Sequence, residues 1–247
     1  MAGHVDRDEL VSFTNNYLEF DRLKDYGPQG LQFAGTPQVS KIACGVSVSV
    51  DLIEQAILWG ADALIVHHGL FWNNEPREID KRMLKRLDRL AVGNLNLMAY
   101  HLSLDVHSEV GNNILTVRNL GVRKPKRFVD VGWGGKLRRP LKRDDLWRYQ
   151  FISWQKAYLY GPTVIRKVAA IVGGGAHYIH EAHAEGYDLF ITGEAAEPTQ
   201  ALAKELEMNF IADGHYNTEK VGVQALTEFL GLHFGLETIF LDIPNSV

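Results

Sequence analysis

The chain has 247 residues, enough to bury a substantial core in one or two compact lobes. Its 46% hydrophobic and 23% charged residues exclude a disordered chain, and a formal net charge of −4 argues against a dedicated nucleic-acid binder. A single cysteine, Cys44, excludes an intrachain disulfide and a cysteine-based zinc cluster.

The first residues, Met1 to Glu9, lack the apolar core of a signal peptide. No apolar run approaches the ~18 residues of a membrane span, so a cytoplasmic protein without membrane contact is expected. The first strongly apolar strand is Lys41-Ile-Ala-Cys-Gly-Val46. Cys44 reads there as a buried strand residue rather than a nucleophile, because apolar surroundings raise a thiol pKa. Gly45-Val-Ser-Val-Ser49 follows, and its hydroxyls can cap a helix. A helix with apolar spacing then leads through a Gly-x-Asp turn to Ala61-Asp-Ala-Leu-Ile-Val66, which closes on His67-His68 and Gly69.

The spacing predicts an amphipathic helix over Ile79 to Leu90, with Ile79, Met83, Leu87 and Leu90 on one face and its basic residues on a solvated one. The apolar run Leu95 to Tyr100 delivers His101-Leu-Ser-Leu-Asp105. Between Arg118 and Arg148 lie eleven Lys or Arg and three acidic residues, near Trp133 and Trp147. Basic and aromatic residues together can hold nucleotides or single strands. The turn signals Gly-Trp-Gly-Gly135 and Pro140 make a solvated connector between halves the preferred reading.

Beyond that stretch the pattern returns. Laying Lys41 to Gly69 over Lys167 to Ala195 at an offset of 126 aligns Ile42-Ala43 with Val168-Ala169, Gly60 with Gly186, Asp62 with Asp188, and Leu64-Ile65 with Phe190-Ile191. Each copy reads as strand, helix, Gly-x-Asp turn and strand, the pattern of a βαβ unit, so a parallel or mixed sheet covered by helices is expected. Gly173-Gly174-Gly175 after the strand Val168 to Val172 is a weak phosphate-loop signal, with a tight turn or close packing as the simpler explanation. His177, His180 and His183 spread around the helix Tyr178 to Glu185 and read as an exposed face; His4, His107 and His233 have no supporting constellation. The histidine pair aligns with Gly193-Glu194, which makes Glu194 a near-site candidate, with a plain surface carboxylate preferred. The run Met208 to Ala212 then delivers the second His-x-x-x-acid piece, Gly214-His215-Tyr-Asn-Thr-Glu219.

His67, His68, His101 and His215 all follow predicted strands, and ligands of open α/β sheets gather beyond the carboxyl ends of strands. Four imidazoles and two carboxylates without a thiolate suit one or two divalent ions such as zinc, iron or manganese. Two ions less than ~4 Å apart need a bridging carboxylate, and the longer reach of Glu219 assigns it that role. His67 with Asp105 then holds one ion and His68 with His215 the other. His101 is left as a sixth ligand, a supporting partner or a proton-transfer group.

These residues also carry a resemblance. The chain resembles the NIF-three-like dinuclear-metal family, also called GTP cyclohydrolase I type 2 homologs, over nearly its whole length. The matching pieces are Asp25-Tyr-Gly-Pro-Gln-Gly-Leu-Gln32, Gly60-Ala-Asp-Ala-Leu-Ile-Val-His-His-Gly69, His101 to Asp105, Gly111-Asn-Asn113, Thr192-Gly-Glu194, Gly214 to Glu219 and Leu241-Asp-Ile-Pro-Asn245. The resemblance implies two intertwined, internally similar α/β halves with a two-metal site in the cleft between them, and a ring-shaped homohexamer. It places the ligands on His67, His68, Asp105, His215 and Glu219. The halves are expected over 1–125 and 126–247, with the last strand a candidate to return to the first half.

The function expected is metal-dependent hydrolysis of a nucleotide or related small molecule, of cyclohydrolase or phosphoesterase type, with His101 moving a proton. The alternatives are a ring protein that binds or delivers metal without turnover, and a nucleic-acid-associated protein acting through the basic stretch. Fold and site do not by themselves fix a reaction.

Overall fold

The structure, a computed structural model, describes residues 3–149 and 156–246. It is a mixed α/β protein of two compact units, the first formed by the chain up to Leu104 with Gly222–Pro244 and the second by Asp105–Val221 with the last residues.

The first unit is built on a five-stranded sheet in the order Glu237–Phe240, Lys41–Ser47, Ala63–His68, Asn96–Ala99, Gly30–Phe33. The first four strands are parallel and Gly30–Phe33 is antiparallel at the edge. The apolar runs read from the sequence are its inner strands, and the helices Val50–Trp59 and Lys81–Val92 pack on them through Ile53, Ala56, Leu64, Val66 and Leu90. Ser49 caps the first of these helices, its hydroxyl accepting from Leu52 N at 3.1 Å, and Gly60 ends it at φ +80°, where a residue with a Cβ would be strained. The second helix starts two residues later than the spacing predicts, because Asp80 caps it by accepting from Met83 N at 2.7 Å. Ile79 therefore lies outside the helix, 66% exposed, while Met83 and Leu90 are buried as expected.

The second unit holds a six-stranded mixed sheet in the order Lys126–Phe128, Gly132–Lys142, Val164–Ala170, Leu189–Thr192, Asn209–Ala212, Lys156–Leu159. Its central strands are buried on both faces: Val168, Ala170 and Ile191 pack with Ile114 and Val117 of the helix Asn112–Asn119, and Ala169, Phe190 and Phe210 with Ile179, Ala182 and Ala203 of the helices Ile179–Ala184 and Thr199–Glu205. Near-continuous apolar strands follow from that double covering.

Two expectations are revised. The stretch after Arg118 is no solvated connector: Lys126–Phe128 and Gly132–Lys142 are strands of the second sheet, with Trp133 buried and its indole N–H donating to Val106 O at 3.0 Å. The first division falls at 104/105 rather than at 125/126, because the helix Asn112–Asn119 packs on the second sheet; the last strand, Glu237–Phe240, does return to the first unit, where it pairs with Lys41–Ser47. Among the described residues no helix is long and apolar enough to cross a membrane.

Candidate metal centre

In the first unit the strand Ala63–His68 ends in the histidine pair, and the strand Asn96–Ala99 beside it leads through Tyr100 to His101. His67, His68 and His101 can each offer a ring nitrogen within 4.8 Å of the others. Each ring is held by its Nδ1. His67 donates to the Tyr100 carbonyl at 2.9 Å, His101 donates to Asp25 Oδ1 at 2.7 Å, and His68 Nδ1 meets the Ser47 hydroxyl at 2.8 Å. A carbonyl and an ionised carboxylate only accept, so in neutral His67 and His101 the proton sits on Nδ1 and the lone pair on Nε2.

Asp25 does two things at once: its Oδ2 accepts from Leu102 N at 2.8 Å, capping the short helix Leu102–Val106. Burial by itself would raise its pKa, but the hydrogen bond and charge of His101, with the Leu102 and Tyr26 amides, hold the carboxyl below its ordinary value. Gln29 steadies the same turn, its Oε1 accepting from His101 N at 3.0 Å and Ser103 Oγ at 2.5 Å. Trp72 meets His101 edge-on at 5.1 Å between ring centroids, with Tyr26 at 6.0 Å.

In the second unit the strand Asn209–Ala212 leads through Gly214, at φ 90°, to His215, the first residue of the helix His215–Thr218. His215 Nδ1 lies 2.6 Å from Glu194 Oε1 and its Nε2 3.1 Å from Glu219 Oε1. The spacing of four does bring His215 and Glu219 together on one side. Burial alone would depress the His215 pKa, but the hydrogen bonds and charges of Glu219 and Glu194 outweigh it and raise the imidazolium to about 9. Gly173 explains its own triplet. At φ +61°, any Cβ on it would stand 2.5 Å from Glu219 Oε1 and 3.1 Å from His215 Nε2, so the glycine makes room for these two side chains rather than forming a phosphate loop.

Asp105 is buried in the same unit, its Oδ1 accepting from Asn112 Nδ2 at 2.9 Å. The neighbouring Asn113 accepts from Val172 N at 2.7 Å, which fixes the chain just before Gly173. His177, His180 and His183 are exposed, as the helical spacing predicts.

The donor set fits divalent ions. Imidazole nitrogens and carboxylate oxygens suit zinc, iron or manganese, and metal-binding histidines hold their second nitrogen in a hydrogen bond of the kind seen at His67, His101 and His215. Sequence reasoning missed Asp25 and Gln29 as supporting groups and undervalued Glu194. Asp25 stands 76 residues from His101, and no local pattern links them. For Glu194 the duplication held the signal, since it aligns with His68.

Comparison with known proteins identifies the family and the fold. The model of the Duf34/NIF3 (NGG1p interacting factor 3) family matches residues 5–246. A Pseudomonas aeruginosa protein named GTP cyclohydrolase 1 type 2 homolog is 38% identical over 243 residues, covering 96% of both chains. Among solved structures, the protein ybgI, described as of unknown function, superposes with a TM-score of 0.91 at 36% identity, covering 98% of this chain and 100% of its own. TTHA1606 from Thermus thermophilus gives 0.91 at 34% identity with the same coverage.

Proposed function

Because the chain belongs to the Duf34/NIF3 family, we propose that it binds two divalent ions and uses them to hydrolyse a nucleotide or a related small molecule. His67 and Asp105 would hold one ion and His68 and His215 the other, with Glu219 as the ligand common to both; zinc, iron and manganese all suit these ligands. The observation that carries this is the anchoring of His67 and His215 by Nδ1 to a carbonyl or carboxylate, which orients Nε2 and raises ligand basicity. The name of the Pseudomonas aeruginosa relative favours a nucleotide.

When bound, the ions supply Lewis acidity to the substrate and lower the pKa of a water towards ~7. His101 is the proton-transfer group. Asp25 keeps a proton on its Nδ1, so Nε2 accepts a proton and the carboxylate steadies the resulting imidazolium. Glu194 gives His215 the same orientation in the second unit. Trp72 and Tyr26 stand beside His101 with their rings edge-on to it. A homohexamer belongs to the same proposal, and light scattering of the purified protein checks its mass.

The test is a nucleotide panel with metal-replete wild type and His101→Ala, reading formate and phosphate. Formate marks ring opening and phosphate marks phosphoester hydrolysis. The expected result is one of these products from wild type, lost in a variant that still carries two equivalents of metal. Metal loss in the variant would make His101 a ligand instead. No product from any nucleotide would leave a metal-holding protein without turnover.

A further inference from the structure

The second unit carries an open cavity of about 600 Å³ away from His215 in sequence and in strand position, on the sheet strands that the sequence suggested were a connector. Arg123, Lys124, Lys126, Arg127, Lys136 and Lys167 line it, against one carboxylate, Glu185. Among the described residues Arg123, Lys124, Lys126 and Lys136 make no ion pair with an acidic side chain.

Strand register puts Lys126, Lys136 and Lys167 on one face. Lys136 and Lys167 are direct cross-strand partners, and Lys126 is paired with Gly134, which lies two residues before Lys136 and so on the same side. Like charges directly opposite on a sheet repel and destabilise it. Lys167 is relieved in part, its amine reaching the Glu185 carbonyl and lying 4.1 Å from the centre of the Tyr187 ring. Among the described residues nothing gives Lys136 such relief. A sheet that keeps a repelling pair beside further cations in a concavity breaks a local rule, and such breaks are expected where a ligand compensates them.

The floor of the cavity selects among anions. Tyr187 is buried, with Lys167 Nζ 4.1 Å from its ring centre and Gly134 so close that a Cβ there would come within 2.6 Å of its Cε1 and hydroxyl oxygen. Among the described residues that line the cavity the one aromatic is this buried ring, so it offers no open face for a base to stack on, and stacking is what single-stranded nucleic acid requires of such a groove. The volume suits a small molecule. We propose that this cavity binds a small polyanion bearing two or more linked phosphate groups, through the ammonium groups of Lys126 and Lys136 with Arg123 and Lys124 beside them.

The experiment is calorimetric titration of the metal-replete protein with inorganic triphosphate at low and moderate ionic strength, beside the Lys126→Gln/Lys136→Gln double variant. Both side chains are exposed, so folding and metal content should not change. Wild type should bind one equivalent with an affinity that falls as salt rises, and the double variant should bind at least about tenfold more weakly. A Gly134→Ala variant, which displaces Tyr187 and with it Lys167, should weaken binding too. Absence of binding at low salt would overturn the proposal. Equal affinity in the double variant would also overturn it, placing the triphosphate elsewhere, the metal centre included. Binding of a single-stranded oligonucleotide without binding of triphosphate would replace the small ligand by nucleic acid. None of these outcomes depends on whether the metal centre turns over a substrate.

Discussion

In the first unit Asp62 accepts from the amides of Ser40 and Lys41 at 2.8 and 3.0 Å; in the second, 126 residues on, Asp188 accepts from Arg166 and Lys167 at 2.7 and 2.9 Å. Asn96 donates to the Asp62 and Thr36 carbonyls while accepting from Gly35 N, and Asn209 donates to the Asp188 and Pro162 carbonyls while accepting from Gly161 N. At the carboxyl ends of the same strands the likeness stops. Ser47, which holds His68, becomes Gly173, which makes room for His215 and Glu219. His67 becomes Gly193, where a Cβ would meet Gly173 O and His215 Cα at 2.8 Å, and His68 becomes Glu194, an orienter of His215. Polar side chains that satisfy backbone groups where strands begin are needed by both sheets, because an unpaired buried amide costs ~1–3 kcal/mol. Side chains at the strand ends carry no such duty, and there the two copies have diverged into different chemistry.

The strongest way to break this comparison is Glu219→Ala. With the proposed bridge removed, bound metal should fall from two equivalents towards one or none, and any turnover should go with it. Elemental analysis of the purified variant checks it; two retained ions would remove Glu219 from the bridging role. A smaller effect is expected from the orienting carboxylates. Asp25→Asn and Glu194→Gln should each lower metal affinity or activity roughly 10–100-fold while the fold persists. His215 adds a pH signature. A folded pKa raised to about 9 means that, in EDTA-treated protein, its ion pair stabilises fully below the unfolded value and is lost as pH rises through about 9. An arriving ion must displace that proton, so metal uptake should release protons and strengthen as pH climbs. Glu194→Gln should move the midpoint of that dependence to lower pH, which titration calorimetry in two buffers would record.

What the sequence made legible follows from how local each cause is. Apolar runs bounded by Gly-x-Asp turns mark Ala63–His68 and Leu189–Thr192, since period and turn chemistry lie within a few residues. The offset of 126 made the duplication readable, and with it the placing of His67-His68 at a strand end. It also misled slightly: the two His-x-x-x-acid pieces look equivalent, yet strands Asn96–Ala99 and Asn209–Ala212 match Ala99 with Ala212, so His101 falls on Gly214 and His215 one residue later. In Gly132–Lys142 the alternation of Trp133, Gly135 and Leu137 was hidden by glycines and by Pro140, which sits where the pairing with Val164–Ala170 shifts register. Asp25 and Gln29 act over more than 70 residues, and no spacing rule reaches that far.

The shared scaffold can be tested separately from the site. Asp62→Ala and Asp188→Ala each leave two strand-start amides without their acceptor, so each should cost about 2 kcal/mol and lower the melting temperature by roughly 4–8 °C. Equal losses in the two variants, with metal content intact below the transition, would support one device used twice. A large loss in one alone would mean that the copies now depend on it differently.

The smallest effect is expected where the two sheets differ by a single core atom. Cys44 stands in Lys41–Ser47 where the second copy has Ala170, and both are buried in strands paired on either side. Burial pushes the Cys44 thiol up to about 12, so the nucleophilic thiolate is almost absent at neutral pH. Native protein should resist thiol alkylation at pH 8 and react only once unfolded; prompt labelling would reveal local opening of this strand. Cys44→Ala gives the first sheet the residue that the second already uses. Losing one sulfur from a close-packed core should cost about 1 kcal/mol, a shift of ~2–4 °C in melting temperature, with metal content unchanged because the thiol lies outside the nitrogen and oxygen ligand set. A loss of metal on that substitution would tie the interior of the first sheet to the strand-end histidines, and the separation between shared scaffold and divergent site would fail there.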